Sequence, residues 1–364
     1  MTTAPWVQAL LAWYDEHRRT FPWRTERPDP YAVWVAEIML QQTRTETVRP
    51  YFQRWMARFP TLADVAQADP QEVLALWEGL GYYRRALLLW EAARQVMERF
   101  DGRLPEEPEA LETLPGIGPY TARAIASIAY GKDVAVVDGN VKRVLSRLFA
   151  LEAPIDRSTG ERRIWELAQA HLPAGQAAAY NQALMDLGAT LCLPRHPQCG
   201  RCPVRPWCRA YASGAPTQWP RRTPKKKIPH YTVVAGVVRR GPKVLLARRP
   251  EGGLLGGLWE FPGGKVEPGE TLEAALEREL QEELAIRVKA GPVLGTFRHA
   301  YSHFRITLYA LCAQILKGEP RPQEGQQVAW VPLRDLDAYP MGKVDRLIAR
   351  RLRQDPETCR ENPA

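Results

Sequence analysis

Leu114-Pro115-Gly116-Ile117-Gly118-Pro119-Tyr120-Thr121-Ala122 sets two glycines one residue apart, directly before a run with helical spacing. Glycines there permit a tight turn and close backbone approach, and the free N–H groups that open a helix can hold a phosphate. Beyond the turn, Ala122, Ile125, Ala126 and Ala129 recur at helix spacing, as do Val141, Val144, Leu145 and Leu148. Between these runs lies Val137-Asp138-Gly139-Asn140-Val141, which opens the second helix. Taken alone, Asp138 reads as an ordinary N-cap.

Outward from this hairpin the texture divides the chain. Up to residue 210 the periodicity is helical, with no convincing strand series, and the charge nearly balances at a net of +1. Residues 211–230 hold Arg221, Arg222, Lys225, Lys226 and Lys227 among Pro216, Pro220, Pro224 and Pro229, with no acidic residue. That composition is a linker, read either as a solvated spacer or as a strap along nucleic-acid phosphates. Beyond it, Tyr231–Val238, Lys243–Ala247 and Phe304–Leu311 read as strands and Thr271–Leu284 as a helix. The expected fold is therefore multi-domain, an all-α region followed by an α+β one. The 364 residues, 45% hydrophobic and 25% charged, exclude bulk disorder. No apolar run approaches the roughly 20 residues a membrane span needs. The start Met1–Trp6 does not read as a signal peptide, so a cytoplasmic location is expected.

Four of six cysteines cluster as Cys192-x6-Cys199-x2-Cys202-x5-Cys208. Four thiolates suit tetrahedral zinc or an iron–sulfur cluster, and the spacing alone leaves both open. Arg195, Arg201, Arg205 and Arg209 surround the segment and present cations. Cys312 and Cys359 stand apart, and Cys312 reads as a small buried hydrophobe in a strand.

In this order and separation, the hairpin, the VDGNV segment and the cysteine loop resemble the helix-hairpin-helix DNA glycosylases that carry a [4Fe-4S] cluster. Pro22-Trp23-Arg24, Trp34–Thr43, Gly79-Leu80-Gly81-Tyr82-Tyr83 and Asn181–Gly188 resemble the MutY-type adenine glycosylases in particular. The resemblance implies that Glu37 protonates the departing adenine and that Asp138 faces the sugar, the two carboxyls sharing acid and stabiliser roles. It also implies substrate and DNA contacts at Arg19, Trp23, Gln42, Tyr82, Gly116, Gly118, Tyr120 and Asn140, with the cluster held by Cys192, Cys199, Cys202 and Cys208. Tyr120 stands where the strand-cleaving relatives carry a lysine, so a Schiff base is not expected and the product should be an intact abasic strand.

Past the linker, Gly264-x5-Glu270-x7-Arg278-Glu279-Leu280-Gln281-Glu282-Glu283 nearly completes a Nudix signature, with Ala285 in place of its glycine. Glu279, Glu282 and Glu283 share a helix face, where like charges are costly unless solvated or bridged, so Mg2+ is a candidate cofactor there. His299-Ala300-Tyr301-Ser302-His303-Phe304 resembles the family's lesion-recognition loop and makes Tyr301, Ser302 and His303 candidate contacts to 8-oxoguanine.

The expected layout is a helical glycosylase region over 1–210, with the hairpin at about 111–130 and the cluster loop at 192–208. A basic Pro-rich linker follows over 211–229 and a Nudix-like lesion-recognition domain over 230–355. The expected activity is hydrolysis of the N-glycosidic bond of adenine opposite 8-oxoguanine or guanine in duplex DNA, by a monomer without membrane attachment. The competing readings are a Nudix pyrophosphohydrolase of 8-oxo-dGTP-like nucleotides with a DNA-binding appendage, both activities in one chain, and a non-catalytic damage sensor. The last is disfavoured because Glu37 and Asp138 are both present.

Overall fold

A computed structural model describes residues 3–224, 228–322 and 326–359. Lys225, Lys226 and Lys227 of the basic linker lie outside the described residues. Two compact units emerge: the chain up to Gln67 with Leu88 onward to the linker, and Ala68–Leu87 with the chain beyond the linker. No helix among the described residues is long and apolar enough to cross a membrane.

The first unit is helical: α1 (Pro5–His17), α2 (Pro30–Leu40), α3 (Thr45–Arg58) and α4 (Leu62–Gln67) precede its break. The short α5 (Pro70–Trp77) and the start of α6 (Arg84–Arg99) fall within Ala68–Leu87. The helical unit then resumes with α7 (Pro108–Leu111), α8 (Pro119–Tyr130), α9 (Gly139–Leu148), α10 (Ser158–Ala170), α11 (Ala177–Thr190) and α12 (Arg209–Ala212). Helix α2 is its central rod. Asp29 caps it by accepting from the Tyr31 and Ala32 amides, Pro30 opens its first turn, and every residue from Val33 to Met39 is buried.

The hairpin forms before α8. Gly116 adopts φ +76°, and a Cβ there would lie 2.9 Å from that of Leu88, so the turn requires glycine. Gly118 is extended and faces open space, which leaves the backbone approachable. Residues 134–137 then run extended into α9, where Asp138 is the N-cap. The buried Asn181 of α11 holds that run, accepting from the Val136 amide at 3.0 Å and donating to the Val134 carbonyl at 2.9 Å. A core of Val141, Val144, Leu145, Leu184 and Leu187 locks α9 against α11.

The second unit is built on a six-stranded mixed sheet. Its strands are β1 (His230–Arg240), β2 (Lys243–Arg248), β3 (Trp259–Glu260), β4 (Arg287–Ala300), β5 (Arg305–Lys317) and β6 (Gln327–Pro332). The order is β3-β2-β1-β5-β4 with β6 on β2, and the β1–β5 pair is parallel. Helices α13 (Leu272–Leu284) and α14 (Lys343–Gln354) accompany it, and separate apolar clusters form around Leu276 and Leu280 of α13 and around Val344 and Ile348 of α14. Ala285 ends α13 at φ +55°, so the left-handed cap survives where the signature expects glycine.

Two features add to the sequence reading here. Residues 68–87, helical as the sequence implies, cluster by contacts with the second unit. Glu78 receives the Arg346 guanidinium at 2.5 and 2.8 Å and the Met341 amide at 3.1 Å, and the Trp259 indole donates to Gln71 at 3.2 Å. The reason is that polar partners for these side chains occur on the sheet-bearing unit, which periodicity cannot reveal. Cys312 is not a lone buried thiol: it forms a disulfide with Cys359, with Cα atoms 5.0 Å apart, tying the end of the chain to β5.

Candidate active site

A cavity of about 850 Å3 opens in the helical unit. Glu37 projects into it from α2 and is buried, which pushes its carboxyl up to about 7. The Tyr120 hydroxyl donates to Glu37 Oε2 at 2.8 Å and, with the charge of Arg24, opposes that rise. Asp138 joins the same wall half-buried, where its Oδ1 accepts the Val141 amide at 2.7 Å and its Oδ2 the Asn140 amide group at 2.9 Å. Burial raises the Asp138 carboxyl despite these donors. Arg19, Trp23, Gln42, Gly118, Tyr120 and Asn140 also line the cavity, so the residues singled out in the first half of the sequence converge apart from Gly116, which shapes the turn, and Tyr82.

Asn140 is fixed from behind. A Cβ on Gly188 would sit 2.6 Å from the Asn140 Cβ, and the Arg143 guanidinium donates to Asn140 Oδ1 at 2.9 Å and, through Nε, to the Cys192 carbonyl at 2.8 Å. The second fixture was not singled out from sequence. Asp186 is wholly buried and receives Arg19 Nε at 2.8 Å and Arg24 at 2.7 and 3.1 Å. Its signal in the sequence is an acid among Leu184, Met185, Leu187 and Gly188, an apolar run that tolerates a carboxylate only when it is paired. Gln182 also reaches the cavity and escaped the sequence reading.

Cys192, Cys199, Cys202 and Cys208 line one small apolar cavity near the buried Arg147, whose guanidinium donates to the Cys192 sulfur at 3.3 Å and the Leu193 carbonyl at 2.7 Å. Burial raises three of these thiols, Cys202 to about 12. Four thiols that repel as thiolates need a shared cationic centre. Four thiols around one cavity are a donor set of the kind an iron–sulfur cluster takes.

In the second unit, Tyr82 is 46% exposed at φ +50°, and its hydroxyl lies 2.5 Å from Ser302 Oγ. Ser302 and His303 are exposed at the tip of the β4–β5 turn. Tyr301 lies beneath them, its ring centroid 4.8 Å from Phe304 and 4.7 Å from His299, so it supports the turn. The candidate magnesium donors Glu279, Glu282 and Glu283 face one another closely enough that the charges of Glu279 and Glu282 help raise Glu283. Arg278 binds Glu279 at 3.0 Å and Glu282 at 3.1 Å, while Glu283 is raised to about 7 by burial and by Glu260. Glu260 is itself paired with Arg249. Arg278 therefore offsets part of the acidic face, while Glu283 stays among like charges.

The helical unit thus carries a hairpin, two carboxyls on one cavity and a cysteine-lined cavity, and the second unit a mixed sheet flanked by helices. Residues 35–170 match the HhH-GPD superfamily of base excision DNA repair proteins, and residues 233–351 match the NUDIX domain. The chain is 38% identical over 380 residues to the adenine DNA glycosylase of Mus musculus, covering 88% of this chain and 73% of that protein. It is 38% identical over 372 residues to that of Homo sapiens, covering 85% and 67%. A solved thermostable thymine-DNA glycosylase is 33% identical with a TM-score of 0.53, covering 57% of this chain and 95% of that one. The chain belongs to the adenine DNA glycosylase family, and is an enzyme acting on N-glycosyl bonds in DNA.

Removing the Asp186 charge leaves two guanidinium groups without their buried counter-ion. Asp186→Asn should destabilise the helical unit by about 3–5 kcal/mol. The thermal unfolding transition should fall accordingly, and an unchanged transition would show that Asp186 does not anchor Arg19 and Arg24.

Proposed function

We propose that this chain excises adenine paired with 8-oxoguanine, and also with guanine, from duplex DNA in base-excision repair. The observation that carries the reading is the pairing of Glu37 and Asp138 in one cavity, with the Tyr120 hydroxyl donating to Glu37. A base in a duplex is shielded, so the adenine must turn out of the stack into this cavity. Glu37, with its carboxyl near 7, holds a proton at neutral pH and gives it to a ring nitrogen of adenine. The C–N bond breaks with both electrons leaving on the base, and positive charge develops on the sugar. The Asp138 carboxylate faces that charge and stabilises it until water adds. Asn140 and the Val141 amide hold the Asp138 carboxylate in place throughout.

The product is an abasic site in an uncut strand. Tyr120 is a phenol and forms no Schiff base. Lys142 also lines the cavity, but its ammonium is held by Glu161 at 2.5 Å. Cys192, Cys199, Cys202 and Cys208 hold a [4Fe-4S] cluster that fixes the cationic loop carrying Arg201 and Arg205. Iron should be present at about four atoms per chain, and Cys199→Ser should lower iron content and the stability of the helical unit together. Ser302 and His303, with Tyr82 beside them, read the lesion. One chain supplies every residue of the cavity, and the working unit is a monomer.

Single-turnover excision should follow a bell-shaped pH profile. Its alkaline limb lies near 7, because the rate falls as Glu37 loses its proton. Its acid limb is raised from the ordinary aspartate value, because burial raises Asp138. The Tyr120 hydrogen bond stabilises the Glu37 anion, so Tyr120→Phe should move the alkaline limb to higher pH. An unmoved limb would remove Glu37 from the acid role. Asp138→Asn should slow excision by about 100-fold or more, with duplex binding retained.

Ser302→Ala/His303→Ala should narrow the preference for adenine opposite 8-oxoguanine over adenine opposite cytosine or guanine, while excision at saturating enzyme is kept. An unchanged ratio would remove this turn from lesion reading.

A further inference from the structure

The sheet face that packs on α13 carries a basic surface at its far end. Leu276, Leu280 and Leu284 of α13 pack with Tyr309, Leu311 and Ala313 of β5. Alternate residues of a strand share a face, so the same face continues to Thr307 and Arg305. The ladder sets Arg298 of β4 opposite Thr307, and both Ala300 of β4 and His230 of β1 opposite Arg305. These residues line an open groove of about 520 Å3 that includes no carboxylate. Thr307 anchors His230 at 3.0 Å.

Arg298 and Arg305 are both exposed, and among the described residues neither guanidinium makes an ion pair or a side-chain hydrogen bond. Elsewhere in this unit Arg249, Arg278 and Arg346 each bind a carboxylate. Diagonal neighbours across two strands lie about 7–8 Å apart, so the two free cations repel across the groove unless an anion enters. His299 adds little fixed charge, because burial first and Lys343 second hold it below its ordinary value. A guanidinium fork matches a phosphate oxygen pair, and two of them side by side match successive phosphates of one strand. The groove lies at the base of the turn that exposes Ser302 and His303.

We infer that the groove formed by Arg298, Arg305 and His230 binds the phosphodiester backbone of DNA beside the Ser302–His303 turn. The site positions the duplex and carries no sequence information. Its orientation toward the lesion-bearing strand rests on the lesion-reading role of that turn, whereas its binding of backbone does not.

The test uses the full-length protein and an undamaged duplex, titrated across 50–200 mM KCl. Each phosphate contact contributes about 0.9 to the slope of log K against log salt. Arg298→Gln/Arg305→Gln should therefore make the slope shallower by about 1.8 and weaken binding at 100 mM salt by about tenfold or more. Arg334→Gln, at a highly exposed arginine of the same unit outside the groove, should leave the slope unchanged. Excision of adenine at saturating enzyme should be preserved in all three proteins, which also reports that they are folded. A double variant with unchanged slope and affinity would overturn the proposal. A changed slope in a protein whose Ser302 and His303 variants keep full lesion preference would uphold the groove and remove only its orientation toward the lesion.

Discussion

A carboxyl group kept out of water inside helix α2 is the constraint from which the helical unit takes its form. Burying an ionised Glu37 with no partner is far costlier than burying it protonated, so desolvation turns an ordinary acid into a proton store at neutral pH. That requires a helix buried nearly all round, and Val33, Trp34, Ile38 and Met39 supply it. Two influences work against the stored proton, the Tyr120 hydroxyl and the Arg24 charge. Arg24 is tied to Asp186, which limits how far its charge acts on Glu37. The fold thus tunes one pKa by burial, and then holds in check the cation that would undo it.

Asp138 is placed by a different logic. It sits at the head of α9, where the first-turn amides and the Asn140 side chain donate to its oxygens, an arrangement suited to an anion. Burial still raises it, but Glu37 is carried to about 7 with one hydroxyl donor whereas Asp138 has several donors to its ionised form. Two carboxyls on one cavity with such unequal surroundings divide naturally into a proton donor and a charge stabiliser. Asn181, which holds the chain on the way to Asp138, and Gly188, which leaves room for Asn140, convert this division into fixed geometry.

The hairpin, the VDGNV cap and the cysteine spacing were legible because each is a local pattern with a local cause: a turn needing φ > 0, a helix needing a cap, thiols needing a shared centre. Asp186 was not. Its importance comes from two arginines more than 160 positions away, and nothing in Ala183–Gly188 names them. The contacts of Ala68–Leu87 were hidden for the same reason, since its helical pattern is silent about Arg346 and Trp259. The Cys312–Cys359 bridge joins a strand to a chain end 47 positions on, and spacing alone does not distinguish such a pair from two separate thiols.

The Nudix signature is the instructive opposite, a pattern legible in sequence that is organised around one arginine. Arg278 gathers Glu270, Glu279 and Glu282, which ties the loop after Gly264 to α13. A Cβ on Gly264 would meet the Glu279 carboxyl carbon at 2.2 Å, so a larger residue there would displace the end of that side chain. Ala285 keeps the left-handed cap without glycine, at the modest strain such a residue bears. Three of the box carboxylates, Glu270, Glu279 and Glu282, thus meet one guanidinium, while Glu283 sits among like charges. This brace stands apart from the exposed polar turn at Ser302 and His303 on β4–β5, which draws on none of the box carboxylates.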